Sequence, residues 1–408
     1  MMGEILFLAH RVPWPPNRGD KIRSHHFLQK LMDCAPVHVA CFADDEQERQ
    51  IGWDRKAELA SCEIVVRNKP RWRAGIEALV SGKPVSLTSF ENSEINAYVA
   101  RVIATRPVDC IFVFSGQMAQ YIPPDFDGRV VMDFADVDSA KFESYAGEGF
   151  GPMAWINRRE GRLLSAFEKD VAARADHSLF VSEAEAALFR QRSGLSAGRV
   201  KAVGNGIDLE FYAARDVHPE GLKGEGPMIL FTGQMDYQPN VQAVQSFSME
   251  VMPEILARFP SARFAIVGRA PSEKVRQLDG QHGTVVVGAV DDIRSWIMAA
   301  DVVVAPLRIA RGIQNKVLEA MAMARPVVAS TCAAEGINAI NGEHFLIAES
   351  VEDEAQLVRD LLADPERARR LGEQAGILIQ AQYSWETQLA SLPALCGFSA
   401  AVVAEAAA

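Results

Sequence analysis

Lys316 and Glu319 stand three residues apart in residues 301–329, DVVVAPLRIARGIQNKVLEAMAMARPVVA, where one apolar run leads through a loop into a helix and then into a second apolar run. The start of such a helix offers unbonded backbone N–H groups and the positive end of its dipole. The approach through Arg311, Gly312, Gln314 and Asn315 therefore suits a diphosphate. Lys316 adds a full positive charge. Glu319 falls on nearly the same helical face, where a carboxylate can accept hydrogen bonds from two neighbouring ribose hydroxyls. The competing reading is a solvated Lys–Glu pair, which is common on helix surfaces.

A second cluster follows an apolar run in VVMDFADVDSAKF, with Asp133, Asp136 and Asp138. Carboxylates at the end of a strand can bind acceptor hydroxyls or act as a general base, and Asp133 and Asp136 are the candidates for catalysis. Helix capping comes second and a hard cation third, because Asp-x-Asp supplies the oxygen ligands such ions need. Upstream, Gly19 closes a loop and lets a diphosphate or an acceptor approach the backbone closely, which makes it a donor-binding candidate, while Asp20 is placed to cap the next helix. Asp20, Arg23, His25 and His26 on that helix are acceptor-binding candidates; a solvated basic face competes for Arg23. Residues 67–80, RNKPRWRAGIEALV, join basic residues to Trp72 ahead of an apolar turn, a mixture suited to an anionic membrane surface or to plain solvation. His10, His177, His218, His282 and His344 show no ligand spacing and read as structural.

Positioning these groups requires strands and helices in alternation. Apolar runs at 5–9, 37–42, 63–66, 109–114, 129–134, 178–181 and 200–203 are separated by amphipathic stretches such as 20–32 and 156–174. The pattern restarts at 228–232, 263–267, 284–287, 302–305, 326–329 and 345–347. Such alternation signals parallel α/β layering. Residues 213–227 are rich in Gly, Pro and charge, lack apolar periodicity and read as a linker between domains 1–212 and 228–383. A helix over 384–395 and an Ala-rich tail fill 384–408. Each open sheet places a ligand crevice at the carboxyl ends of its strands, and the two are expected to form an interdomain cleft.

Composition narrows the class. Apolar residues make up 49% and charged residues 23% of 408, as in globular proteins. A net charge of -11 argues against nucleic acid as a general partner, because phosphates would be repelled. Six scattered Cys without two-residue spacing point to reduced thiols rather than a zinc site or a disulfide framework. MMGEILFLAH has no basic lead and reads as a buried strand, not a signal peptide. No apolar run approaches the roughly 20 residues that span a bilayer. The expected location is cytoplasmic, with peripheral contact on the inner face of a membrane as an option.

LEAMAMARPVVAS resembles the donor-site signature of family 4 glycosyltransferases of the GT-B fold, which implies that Glu319 holds the donor ribose. VGNGIDLEFY, FTGQMDYQPNVQAV with Gly233, FAIVGRAP with Arg269, VVVGAVDDIRSWIMAADVVVAPL with Val290, and PPNRGDKIRSHHFLQKL resemble further elements of that family, in its order. YSWE resembles the start of the helix that crosses back to the first domain. PPNRGDKIRSHHFL, VMDFADVDSAKFESYA and RGIQNKVLEAMA together resemble the sugar transferases associated with exosortase and exopolysaccharide systems. Two departures stand out. Many family members carry a Glu where Arg311 stands, and the basic clamp after the FTGQM turn is replaced by Gln234, Met235, Asp236 and Tyr237. Lys316, with Arg311 or Arg269, would then neutralise the diphosphate. The resemblance implies two facing Rossmann-like domains and retaining transfer from a nucleotide sugar to a saccharide or lipid-linked saccharide, without metal or cofactor. A nucleotide-sugar epimerase of the same fold and a non-catalytic sugar-nucleotide binder remain alternatives.

Overall fold

The computed structural model describes residues 3–147, 151–213, 217–222, 226–310 and 313–398. Among these, the chain divides into two compact units: one comprises residues 1–203 with 389–408, the other residues 204–388.

The first unit is built on seven parallel strands: β1 (Glu4–Ala9), β2 (Val37–Ala43), β3 (Ser61–Val66), β4 (Val108–Phe114), β5 (Arg129–Ala135), β6 (His177–Phe180) and β7 (Val200–Ala202). Their spatial order is β3-β2-β1-β4-β5-β6-β7. All six residues of β1 are buried, as a central strand covered by helices on both faces requires. The direction of winding reverses between β1 and β4, which opens a crevice at their carboxyl ends.

The second unit repeats the plan with β8 (Met228–Thr232), β9 (Arg263–Val267), β10 (Thr284–Gly288), β11 (Val302–Ala305), β12 (Val327–Ser330) and β13 (Leu346–Ala348), ordered β10-β9-β8-β11-β12-β13. Here the reversal lies between β8 and β11. Every strand expected from the sequence is present, with ends displaced by two residues at most.

Two expectations change. The expected 384–395 helix is broken into Trp385–Gln388 and Leu392–Leu395. Pro393 has no N–H to continue a helical ladder, and the boundary between units falls at this break. The other boundary lies at Val203, not at 212. The intervening segment is tied to the second unit: Ile207 N donates to Tyr383 O at 2.6 Å and Ile207 bridges Ser384. Within the expected linker the described residues 217–222 carry neither helix nor strand, and 214–216 and 223–225 lie outside the described residues.

Beside the second reversal, β8 and β9 end in glycines that touch. Gly233 and Gly268 both have φ near 155°, and a Cβ on Gly268 would lie 1.6 Å from the Gly233 carbonyl oxygen. Backbone meets backbone there, so no side chain can give way. Gly268→Ala is expected to cost about 2–5 kcal/mol from strain and overpacking. Urea unfolding followed by circular dichroism measures it; an unchanged midpoint would refute the tight contact.

Candidate functional site

At the carboxyl end of β11 the chain runs into the Asn315–Ala322 helix. Val317, Leu318, Ala320 and Met321 bury one face in the core. Gln314, Asn315, Lys316 and Glu319 lie half-buried on the other. Arg311 and Gly312 lie outside the described residues. Gln314 occupies the N-cap without a capping side-chain bond, and its carbonyl accepts Val317 N at 3.0 Å, which leaves the amides of Asn315 and Lys316 without an acceptor among the described residues.

Lys316 reaches back under β8. Its Nζ donates to Asn240 Oδ1 at 2.8 Å and stands 4.0 Å from the centre of the Phe231 ring. A Cβ on Gly233 would lie 3.1 Å from that Nζ, so the bare backbone of Gly233 makes the approach possible. Asn240 is oriented in turn, its Nδ2 donating to Gln234 O at 2.9 Å. Burial pushes the Lys316 ammonium down to a pKa of about 7, and the charge of Glu319 only partly offsets this. Burial also raises Glu319, against a hydrogen bond donated by Tyr212 and the charge of Lys316. Asn315 Oδ1 is buried with no partner among the described residues. An enclosed and partly discharged cation, an open helix start and an unsatisfied acceptor form a site that an anionic, hydroxyl-bearing ligand would complete.

The remaining second-unit candidates lie on neighbouring strand ends. Arg269 is exposed after β9, its carbonyl accepting Met235 N at 2.8 Å, and Val290 packs half-buried after β10. Met235 is fully buried, while Gln234, Asp236 and Tyr237 are exposed, so this turn offers no basic side chain. Asn240 and Tyr212 were not among the sequence candidates. Asn240 left a weak signal, a polar residue on the core side of its helix beside Val241; Tyr212 left none.

In the first unit, Gly19 begins the Gly19–Met32 helix, and a Cβ there would meet nothing within 4 Å. Arg18, not Asp20, takes the N-cap. Asp20 instead gathers Arg11, Arg18 (2.9 Å) and His10 (3.4 Å). Burial alone would raise its pKa, but the hydrogen bond and charge of His10, with Arg11, hold the carboxyl well below the usual range. His25 and His26 are half-buried with ring centres 5.2 Å apart.

Two assignments are corrected. Asp133 is not an accessible base and Arg23 is not on a solvated face, because both are buried and each satisfies the other. Arg23 Nε and Nη2 donate to Asp133 Oδ2 and Oδ1 at 2.8 and 3.0 Å, with Asp133 0% and Arg23 2% exposed. The fork ties the Gly19–Met32 helix to β5. Asp136 and Asp138 are half-buried, and both accept from Lys141 Nζ, at 2.7 and 3.2 Å. Burial would lower the Lys141 pKa, but the two carboxylates outweigh it and raise it. An ammonium therefore stands where a metal was one option, and Asp136 can serve as a base only by releasing it.

Residues 22–206 match the family model described as Glycosyl transferase 4-like domain, and residues 226–364 match Glycosyl transferases group 1. A phosphatidyl-myo-inositol mannosyltransferase of Propionibacterium freudenreichii subsp. shermanii is 25% identical over 219 residues, 53% of this chain and 54% of that protein. The protein of the same name from Mycobacterium tuberculosis is 31% identical over 133 residues, 31% of this chain and 33% of that one. This chain thus spans about half the length of the first relative and a third of the second. Sucrose-phosphate synthase from Thermosynechococcus elongatus aligns over 96% of this chain and 98% of its own with a TM-score of 0.68 at 18% identity. Anabaena HepE in complex with UDP gives 0.68 at 14%, with the same coverage. At such identity the likeness establishes the fold, which is the GT-B class of paired Rossmann-like domains.

Removing one partner of the Arg23–Asp133 fork strands the other's charge in the core. Arg23→Ala should lose about 3–5 kcal/mol, and Arg23→Met combined with Asp133→Leu should recover much of it. Denaturant titration of both variants tests this; a single variant as stable as the parent would show that the fork carries no structural weight.

Proposed function

We propose that this chain, which belongs to the GT-B glycosyltransferases by its 4-like and group 1 domains, is a hexosyltransferase that moves a sugar from a nucleotide-sugar donor to a saccharide or lipid-linked saccharide. The observation that carries the reading is the Lys316 site. Breaking the donor's sugar–phosphate bond releases a nucleoside diphosphate. Stabilising its growing negative charge is the largest electrostatic demand of the reaction. The first amides of the Asn315–Ala322 helix and a protonated Lys316 are aimed at that demand. Glu319 takes the ribose hydroxyls, exchanging the hydrogen bond it now receives from Tyr212 for bonds from ligand. Arg311, Gly312 and Arg269 complete the diphosphate contacts and Val290 lines the base pocket in this reading.

The first unit supplies the acceptor side, with Asp20, His25 and His26 nearest the substrate and Asp136 as the remaining candidate base, while Gly19 is kept as a donor-binding candidate. Two kinds of likeness support the choice of substrates. HepE was crystallised with UDP and with UDP-glucose. The mannosyltransferase relatives are named for a phosphatidyl-inositol acceptor. The family resemblance carries anomeric retention, and the exosortase-type motifs carry a role in exopolysaccharide or cell-surface glycan synthesis. A lipid-linked acceptor would place the protein against the inner face of the membrane, with residues 67–80 in contact; among the described residues no helix is long and apolar enough to cross one.

Incubation with UDP-glucose or GDP-mannose, with and without a lipid-linked saccharide fraction, should give sugar transfer that depends on the acceptor. Epimerised donor without acceptor would replace this reading. Glu319→Ala should weaken donor binding by about 1.5–3 kcal/mol in calorimetry, and unchanged affinity would remove Glu319 from the ribose.

Donor affinity should also report the Lys316 proton. Diphosphate stabilises the charged ammonium, so its pKa rises in the complex. Affinity is then greatest below pH 7 and falls towards about tenfold per pH unit above it, until the raised pKa is passed. An intact nucleotide sugar, whose diphosphate does not titrate in this range, makes the measurement clean. A flat profile between pH 6 and 9, a range of about three units, would exclude Lys316 from the phosphates.

A further inference from the structure

One acid of the second unit sits on a core-facing stripe. In the Val351–Ala363 helix, Glu354 is buried together with Ala355, Val358 and Leu361, at helical spacing. A carboxyl placed there needs a partner. Glu354 is 6% exposed, and its Oε1 has no partner among the described residues. Burial pushes its pKa up to about 8; Asp353 adds to the rise and Arg308 offsets part of it. At neutral pH the group is mostly the neutral acid, its bonding capacity unspent. Its polar neighbours are engaged elsewhere. Ser350 Oγ caps the helix by accepting Asp353 N at 3.1 Å, Ser330 Oγ donates to Leu307 O at 2.6 Å, and Arg308 Nη2 donates to Ser246 Oγ at 2.9 Å.

Glu354 lines a cavity of about 320 Å³ beyond the carboxyl ends of β11, β12 and β13. Asn240, Asn315, Lys316 and Glu319 take no part in it. The packing differs as well: the Asn315–Ala322 helix lies against the Pro365–Gln382 helix, whereas the Val351–Ala363 helix lies against the Met252–Leu256 helix. The cavity wall is apolar at Pro306, Leu307 and Val351 and carries hydroxyls at Thr331 and Ser350. Its charge is acidic. Glu349 lines it too, and Glu352 and Asp353 share the first helical turn with Glu354. Arg308, the cation among the described lining residues, is already 3.6 Å from Glu250. An ammonium brought to Glu354 would convert the neutral acid into a carboxylate, its proton passing to solvent, and would put a charge-assisted hydrogen bond where a buried oxygen now has none. Apolar walls with a few hydroxyls suit a ring that presents C–H faces and polar edges.

We infer that this cavity is a second small-molecule site, separate from the nucleotide-sugar site, which takes a hydroxylated primary amine of about amino-sugar size with its ammonium on Glu354. The inference stands independently of the reading of the Lys316 site. Cys332 supplies a reporter. It lines the cavity, its Sγ donates to Arg308 O at 3.4 Å, and it is partly exposed, while the other five cysteines are buried.

The test is the rate at which iodoacetamide alkylates Cys332 in the full chain, read by mass spectrometry of its peptide in an amine-free buffer. Glucosamine should slow the reaction saturably, by about tenfold at tenfold excess over its Kd. Glucose, which lacks the ammonium, and N-acetylglucosamine, whose nitrogen is acylated, should leave the rate unchanged. Glu354→Gln should weaken the protection by at least about tenfold, because it removes the charged partner; a melting temperature close to the parent's shows that the variant folds. Should it not fold, the three sugars on the parent still decide. No slowing by glucosamine up to about 50 mM, equal slowing by glucose, or undiminished protection of the folded Glu354→Gln variant would overturn the inference. Equal slowing by ammonium chloride would overturn the ligand class by revealing a site for a bare cation. Equal slowing by UDP-glucose would overturn the separateness by assigning the cavity to the donor.

Discussion

An enclosed ammonium that bonds an amide oxygen and stands within the charge of Glu319 governs the second unit. Taking Lys316 out of water is costly, and the local structure offsets only part of that cost with one amide oxygen, one aromatic face and the charge of Glu319. Around this compromise the neighbouring residues are constrained. Gly233 must lack a side chain, Asn240 must present its oxygen, and β8 and β9 must end in glycines that meet. The first unit buries a cation too, and resolves it the other way. Arg23 is answered by both oxygens of Asp133, and nothing is left over for a ligand. Satisfied charge builds structure, whereas unsatisfied charge is available for binding.

The strands were legible in the sequence because parallel strands covered on both faces leave unbroken apolar runs. The two reversal points appear only in the spatial order of the strands. The Lys316–Glu319 helix was legible for a related reason: its buried face repeats at helical spacing while its polar face stays clear. Partners distant in sequence were not legible. Asp133 at the end of a strand looks like a base until a helix 110 residues earlier delivers Arg23 to it. Asp136 and Asp138 look like cation ligands until Lys141 fills the space between them. Tyr212 gives no sign at all, since its meeting with Glu319 depends on residues 204–212 joining the second unit. Local pattern reports burial; it does not report what the buried group will meet.

The Arg71–Ser81 helix marks another limit of that kind. A stripe at 72, 76, 79 and 80 has the same period whether it faces a core or a bilayer. What separates the cases is the opposite face. Ala74 and Ala78 are buried against the rest of the unit, while the large side chains stay exposed. Packing volume, and not hydropathy, sets the direction in which this helix points.

The short stretch after the break at Leu389 has a consequence for the history of the fold. Leu392, Leu395 and Cys396 are buried in the first unit, and Arg129 Nη1 donates to Leu395 O at 3.3 Å. Topologically, the second unit is an insertion within the first. A ribosome therefore completes the whole inserted unit before it supplies residues 389–398 to the first. The opening strands must wait, incomplete, through that interval, while the inserted unit can already close on itself. The order of synthesis and the order of completion run opposite to each other.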